Sequence, residues 1–286
     1  MKFAEQAIVF PCAGNELLGI VTIPEQPEKN GVLVVVGGPQ YRAGSHRQFL
    51  LLSRSLATAG YPVMRFDHRG MGDSTGNYEG FEALTDDIAA AIGAFQQQCP
   101  SVSNVFLWGL CDAASASLLY WDETRDSRIT GLILLNPWVR SEATLAKAHI
   151  KHYYGQRLLQ GEFWRKFLGG NLGAGRALSG LIASFIRARE ATGSITTDAV
   201  LPFQKRMVRA LKGFPDQILL ILSGDDYTAK EFLEAVHVEP MGFDALTQSN
   251  ITQNTISGAD HTFSRTDWRQ KVESVIKNWL STENGK

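Results

Sequence analysis

The chain has 286 residues, 44% of them hydrophobic and 20% charged, and a formal net charge of -1. That length supports one large core with room for an inserted subdomain, and the charge balance gives no reason to expect nucleic acid or an anionic membrane as a partner. No apolar run approaches the roughly 18 residues of a membrane-spanning helix, and the start, MKFAEQAIVF, lacks a signal-peptide core. The expectation is a cytoplasmic protein without stable membrane insertion.

The first segments, Gln6–Phe10 and Leu17–Ile23, flank a turn at Cys12–Gly14 and read as an antiparallel β pair. Gly31-VLVVVGG is a continuous β-branched run, as in a strand buried on both faces of a parallel sheet. A helix follows over His46–Ala59, then a strand at Tyr61–Asp67 and a helix over Ala83–Gln97. Asn104–Leu110 is a strand leading directly into Cys111, and Ala113–Trp121 is a helix of small residues. Further strands are read at Ile129–Trp138, Gln217–Gly224 and Ile251–Ser257, with a closing helix over Arg269–Leu280. This alternation predicts an α/β fold with a mostly parallel central sheet flanked by helices. Residues 140–214 break the rhythm. Leu178, Leu181, Ile182, Phe185 and Ile186 form one helical stripe, and Phe203, Met207 and Leu211 another. The expected organisation is a core from 1–139 and 215–286 with a helical cap inserted at 140–214.

Trp108-Gly-Leu-Cys-Asp-Ala-Ala114 places one reactive residue between a strand and a helix. Such a turn forces its central residue into a strained backbone and requires small neighbours two positions either side, here Gly109 and Ala113. Cys111 is therefore the expected nucleophile, and the helix start behind it favours a thiolate. Asp112 opposes this if its carboxylate faces the thiol. Of the six histidines, His261 follows the last strand, at the sheet edge where α/β sites assemble. His149, His152 and His237 read as solvent-exposed. Asp226, with Asp225 as the alternative, follows the Gln217–Gly224 strand and would orient the imidazole. The chain order is then nucleophile, acid, histidine. The oxyanion donors are expected from the backbone N–H of Asp112 and of Gln40, since Pro39 has none. Arg69 and Asp73, in Asp67-HRGMGDST-Gly76, are read as fixing a loop rather than performing chemistry. Three cysteines without CxxC spacing suggest neither disulfide nor zinc site, and no metal or cofactor signature is seen.

These motifs resemble the α/β-hydrolase superfamily across nearly the whole chain. More narrowly, GGPQYRAGSHRQF, FDHRGMGDSTG, GLCDAASA and SGDDYTAKEF are similar to segments of the exosortase A system-associated hydrolases. That resemblance implies a cytosolic bacterial hydrolase connected with exopolysaccharide or acyl-carrier chemistry. A cysteine at the elbow is also similar to the dienelactone hydrolases, but Ala113 departs from their glycine and the large cap is unlike them. The leading expectation is hydrolysis of a small-molecule ester or thioester through an acyl-cysteine. Acyl transfer on the same triad, non-catalytic ligand binding and thiol redox sensing are the alternatives, and oligomeric state is not encoded in any motif.

Overall fold

The protein's structure, a computed structural model, describes residues 1–38, 40–140, 201–238 and 245–283, with the side chains of His237 and Val238 left aside. The expected cap stripe at Leu178–Ile186, together with His149, His152 and Pro39, lies outside the described residues.

Eight strands form one sheet: β1 (Phe3–Cys12), β2 (Asn15–Pro24), β3 (Asn30–Val35), β4 (Val63–Phe66), β5 (Asn104–Leu110), β6 (Ile129–Leu135), β7 (Gln217–Ser223) and β8 (Ile251–Ile256). Their spatial order is β1-β2-β4-β3-β5-β6-β7-β8. β1 and β2 form an antiparallel hairpin and β2 runs antiparallel to β4, while β4, β3, β5, β6, β7 and β8 are mutually parallel. The helices are α1 (Gln48–Thr58), α2 (Thr85–Gln98), α3 (Asp112–Thr124), α4 (Phe203–Gly213), α5 (Tyr227–Val238) and α6 (Thr266–Glu283). This is the α/β-hydrolase fold.

The pleat sorts β3 between two cores. Val32, Val34 and Val36 join Phe49, Leu52 and Leu56 of α1 and Ile276 and Leu280 of α6 on one face. Leu33 and Val35 join Ile88 and Phe95 of α2 and Leu118 of α3 on the other. A strand covered on both sides has no solvent face, so an unbroken Val/Leu run is the sequence such a position selects.

Three departures from the sequence reading have an identifiable physical cause. His46 and Arg47 adopt left-handed backbone, with φ of 51° and 59°. The α-helix therefore starts at Gln48, after a short 3-10 turn over Ser45–Arg47. β6 stops at Leu135 rather than running to Trp138, because Asn136 turns to a φ of 42° and Pro137 has no N–H for a ladder. The third concerns the insertion. Two compact units are present, Met1–Val139 with Pro202–Lys286, and Arg140–Leu201. Phe203, Met207 and Leu211, expected in the cap, are buried in the core cluster that contains α3. A helical stripe shows that a helix has an apolar face but not which surface that face meets, and α4 falls in the same compact unit as the sheet. Among the described residues no helix is long and apolar enough to cross a membrane.

Candidate active site

The carboxyl ends of the parallel strands collect the chemistry-bearing residues. Cys111 lies between β5 and α3 with φ 62° and ψ -124°, a region that L-residues adopt only where surrounding contacts enforce it. Gly109 is part of that enforcement: a Cβ there would lie 2.5 Å from the backbone C and O of Ala113. Ala113 itself is fully buried. Cys111 N–H donates to Leu135 O at 2.9 Å, and Trp138 N–H donates to Cys111 O at 3.2 Å. The end of β6 therefore grips the elbow from both sides.

After β7, the buried Asp226 receives the N–H groups of Thr228 and Ala229, each at 3.2 Å. Its Oδ2 is 2.8 Å from His261 Nδ1. The carboxylate is thus fixed by the first turn of α5 and directed at the imidazole. Asp225 is exposed, and its N–H is spent on Ala259 O at 3.0 Å. Of the two candidate acids, Asp226 is the one paired with His261.

Sequence reasoning missed Asn136, which is fully buried after β6. Its Nδ2 donates to Ser223 Oγ at 2.8 Å and to His261 O at 2.9 Å, and its Oδ1 accepts Ser223 N–H at 2.8 Å. Ser223 Oγ in turn donates to Asp260 O at 2.7 Å. One amide joins the ends of β6 and β7 to the histidine loop, while its neighbours Leu135 and Trp138 hold the cysteine. The available signal was the Asn-Pro pair ending a buried strand, which marks a turn but not its contacts.

The loop after β3 differs from expectation. Gln40 N–H donates to Gly38 O at 2.8 Å, so this candidate oxyanion donor is engaged within its own loop. The N–H turned toward the elbow is that of Gly38, which donates to Asp112 Oδ2 at 2.8 Å. Asp112 Oδ1 accepts Ala113 N–H at 3.0 Å. Burial raises the Asp112 carboxyl pKa, and the N–H groups of Gly38 and Ala113 restrain that rise. His68, also missed, is fully buried, stacks on Tyr78 with ring centroids 5.0 Å apart, and leaves Nε2 without a hydrogen-bond partner. Burial pushes its pKa below the ordinary histidine range. Arg69 and Asp73 hold the loop. Arg69 Nε and Nη2 donate to the buried Asp87 at 2.9 and 2.7 Å, and Asp73 pairs with Arg42 at 2.7 Å. Among the described residues no group of three His, Cys, Asp or Glu side chains is arranged to hold a metal ion.

No curated protein matches the chain in sequence. Among solved structures, the Pyrococcus furiosus esterase Pf2001 superposes with a TM-score of 0.62 at 16% identity, covering 98% of this chain and 91% of its own. Est1E from Butyrivibrio proteoclasticus, solved with ferulic acid bound, gives 0.61 at 16%, covering 98% and 100%. XC6422 from Xanthomonas campestris, described as an α/β serine hydrolase without a lid, gives 0.56 at 17%, covering 98% and 96%. These likenesses show a shared fold. A family model described as serine aminopeptidase S33, Hydrolase_4, matches residues 27–191, and the chain belongs to this family of α/β hydrolases.

Proposed function

We propose that the protein hydrolyses an ester or thioester of a small acyl substrate through Cys111, His261 and Asp226. The observation that carries this reading is the Asp226–His261 pair at 2.8 Å after β7 and β8, together with a strained cysteine at the strand-to-helix turn after β5 in the same sheet. A carboxylate on Nδ1 fixes the tautomer that leaves Nε2 as the base. His261 takes the thiol proton, the thiolate adds to the acyl carbonyl, and the C=O electrons move to oxygen. Collapse forms the acyl-cysteine and expels the leaving group, which takes the proton from His261. Water, deprotonated by the same imidazole, then releases the acid and restores the thiol. The N–H groups of Asp112 and Gly38 are the proposed oxyanion donors.

The family typically uses serine at this step; a thiolate is the better nucleophile near neutral pH, and the adjoining helix start favours it. The fold shared with two esterases agrees with an ester substrate. Arg140–Leu201, compact in its own right, is assigned the part of an inserted cap. The similarity of GGPQYRAGSHRQF and GLCDAASA to the exosortase A system-associated hydrolases supports a link to exopolysaccharide chemistry.

Rates on p-nitrophenyl esters and acyl thioesters of graded chain length test the activity, alongside iodoacetamide alkylation of Cys111 from pH 5 to 10. Turnover should vanish in Cys111→Ala, and the alkylation rate should carry a low-pH limb that disappears in His261→Ala. Alkylation at the rate of an ordinary thiol, indifferent to His261, would falsify the activated-nucleophile reading.

A further inference from the structure

Asp112 is an unusual neighbour for a nucleophile of this kind. An acidic residue in the first turn of a helix ordinarily accepts N–H groups of its own helix and favours the positive end of the dipole. Asp112 does this with one oxygen only, toward Ala113. The other crosses to the loop after β3 and takes the N–H of Gly38. The crossing requires a missing side chain: a Cβ on Gly37 would lie 2.1 Å from Asp112 Oδ1. The Gly38 N–H, one of the two backbone donors assigned above to the developing oxyanion, therefore already faces this carboxylate.

We infer that the Asp112 carboxylate is an internal occupant of the oxyanion site, and that a substrate carbonyl gains the Gly38 N–H only when this side chain swings away. The inference rests on Cys111 being the nucleophile. The physical argument is competition. An oxyanion site works by presenting preorganised donors to charge that appears only in the transition state. A carboxylate on one of these donors occupies it in the ground state, and its charge opposes a second negative charge nearby. Asp112 thereby sets which acyl groups react: those that make enough other contacts to displace it.

Trifluoromethyl ketones test this directly. Cys111 Sγ adds to the carbonyl carbon, the C=O electrons become an alkoxide on oxygen, and the thiol proton passes to His261. The adduct needs the oxyanion donors; alkylation by iodoacetamide does not. In Asp112→Ala the inhibition constant of an alkyl trifluoromethyl ketone should fall by about 10-fold or more, a part of the roughly 10²–10³-fold effect of a single oxyanion donor, since here the donor is freed rather than created. Iodoacetamide alkylation of both proteins is run in parallel, to show that the thiol still reacts. Unchanged or weaker ketone binding in a folded Asp112→Ala protein overturns the inference. Should that variant not fold, the crystal structure of the wild-type ketone adduct decides. Asp112 rotated off Gly38 supports the inference, and Asp112 still bonded to Gly38 overturns it. Absence of any adduct in both proteins, with ordinary-thiol alkylation, removes the nucleophile reading and this one with it. Normal His261-dependent alkylation with a failed ketone prediction removes only this one.

Discussion

Replacing Asn136 by alanine isolates the residue that couples the two halves of the site. The side chain makes three hydrogen bonds and is fully buried. Its loss leaves the Ser223 N–H and the His261 carbonyl without these partners, whereas Ser223 Oγ keeps Asp260 O. The buried Ser223 N–H costs about 1–3 kcal/mol and the part-buried His261 carbonyl about 1, or about 2–4 kcal/mol together. Position 136 also has a φ of 42°, a conformation asparagine tolerates and alanine resists by roughly 1 kcal/mol. The expected destabilisation is therefore about 3–5 kcal/mol, read from urea denaturation with the slope compared between proteins. A packing role alone stops there. A positioning role predicts in addition that, in Asn136→Ala under native conditions, the low-pH limb of Cys111 alkylation weakens at least tenfold, because the histidine loop is no longer tied to β6. A destabilisation below about 1 kcal/mol would refute the hydrogen-bond accounting. A full destabilisation with an unchanged alkylation profile would refute the positioning argument.

Asp226→Asn should lower turnover by about 10³-fold or more, since an amide no longer fixes the imidazole tautomer, while Asp225→Asn, at an exposed position, leaves it within about twofold; steady-state rates on one ester decide. Gly109→Ala should lose about 2 kcal/mol or more through forced overlap with Ala113. Gly93→Ala, exposed within α2 with nothing within 4 Å of an added Cβ, should gain about 0.5–1 kcal/mol in the same thermal-melt comparison. Asp126 is held down to about 2, against burial that opposes it, by Arg128 and Tyr120. Its folded pKa lies below its unfolded value, so this stabilisation is complete above about pH 4 and is lost as pH falls toward 2. After a discount for the partly exposed Arg128 it amounts to about 1–2 kcal/mol. Asp126→Asn should remove it at pH 7 and make little difference near pH 2, as measured by urea midpoints at the two pH values.

The sheet was readable from the sequence because buried parallel strands leave a hydropathic trace that polar residues would interrupt. The Gly109–Ala113 elbow was readable because steric crowding restricts residue size at fixed offsets. Asn136 and His68 were not, since each is explained by residues distant in the chain: Asn136 meets Ser223 and His261, and His68 meets Tyr78 across a glycine-rich loop. The bonding of the Gln40 N–H was hidden for a similar reason. Sequence shows which residues own an N–H, but a turn that folds the Gln40 N–H back on Gly38 decides which one remains available. For Phe203, Met207 and Leu211, the amphipathic stripe was visible and its partner surface was not, so a core helix was assigned to the insertion.

Gln204 Nε2 donates to Val139 O at 3.0 Å, which gives the chain an anatomical consequence. The segment after β6 and the start of α4 are fastened to each other. Everything between them is a detour that begins and ends at one place, and closure entropy grows only logarithmically with the length of such a detour. Lengthening, shortening or exchanging it leaves the bond at its root intact. Changes of sequence or length between these two points therefore need not disturb the sheet to which both belong.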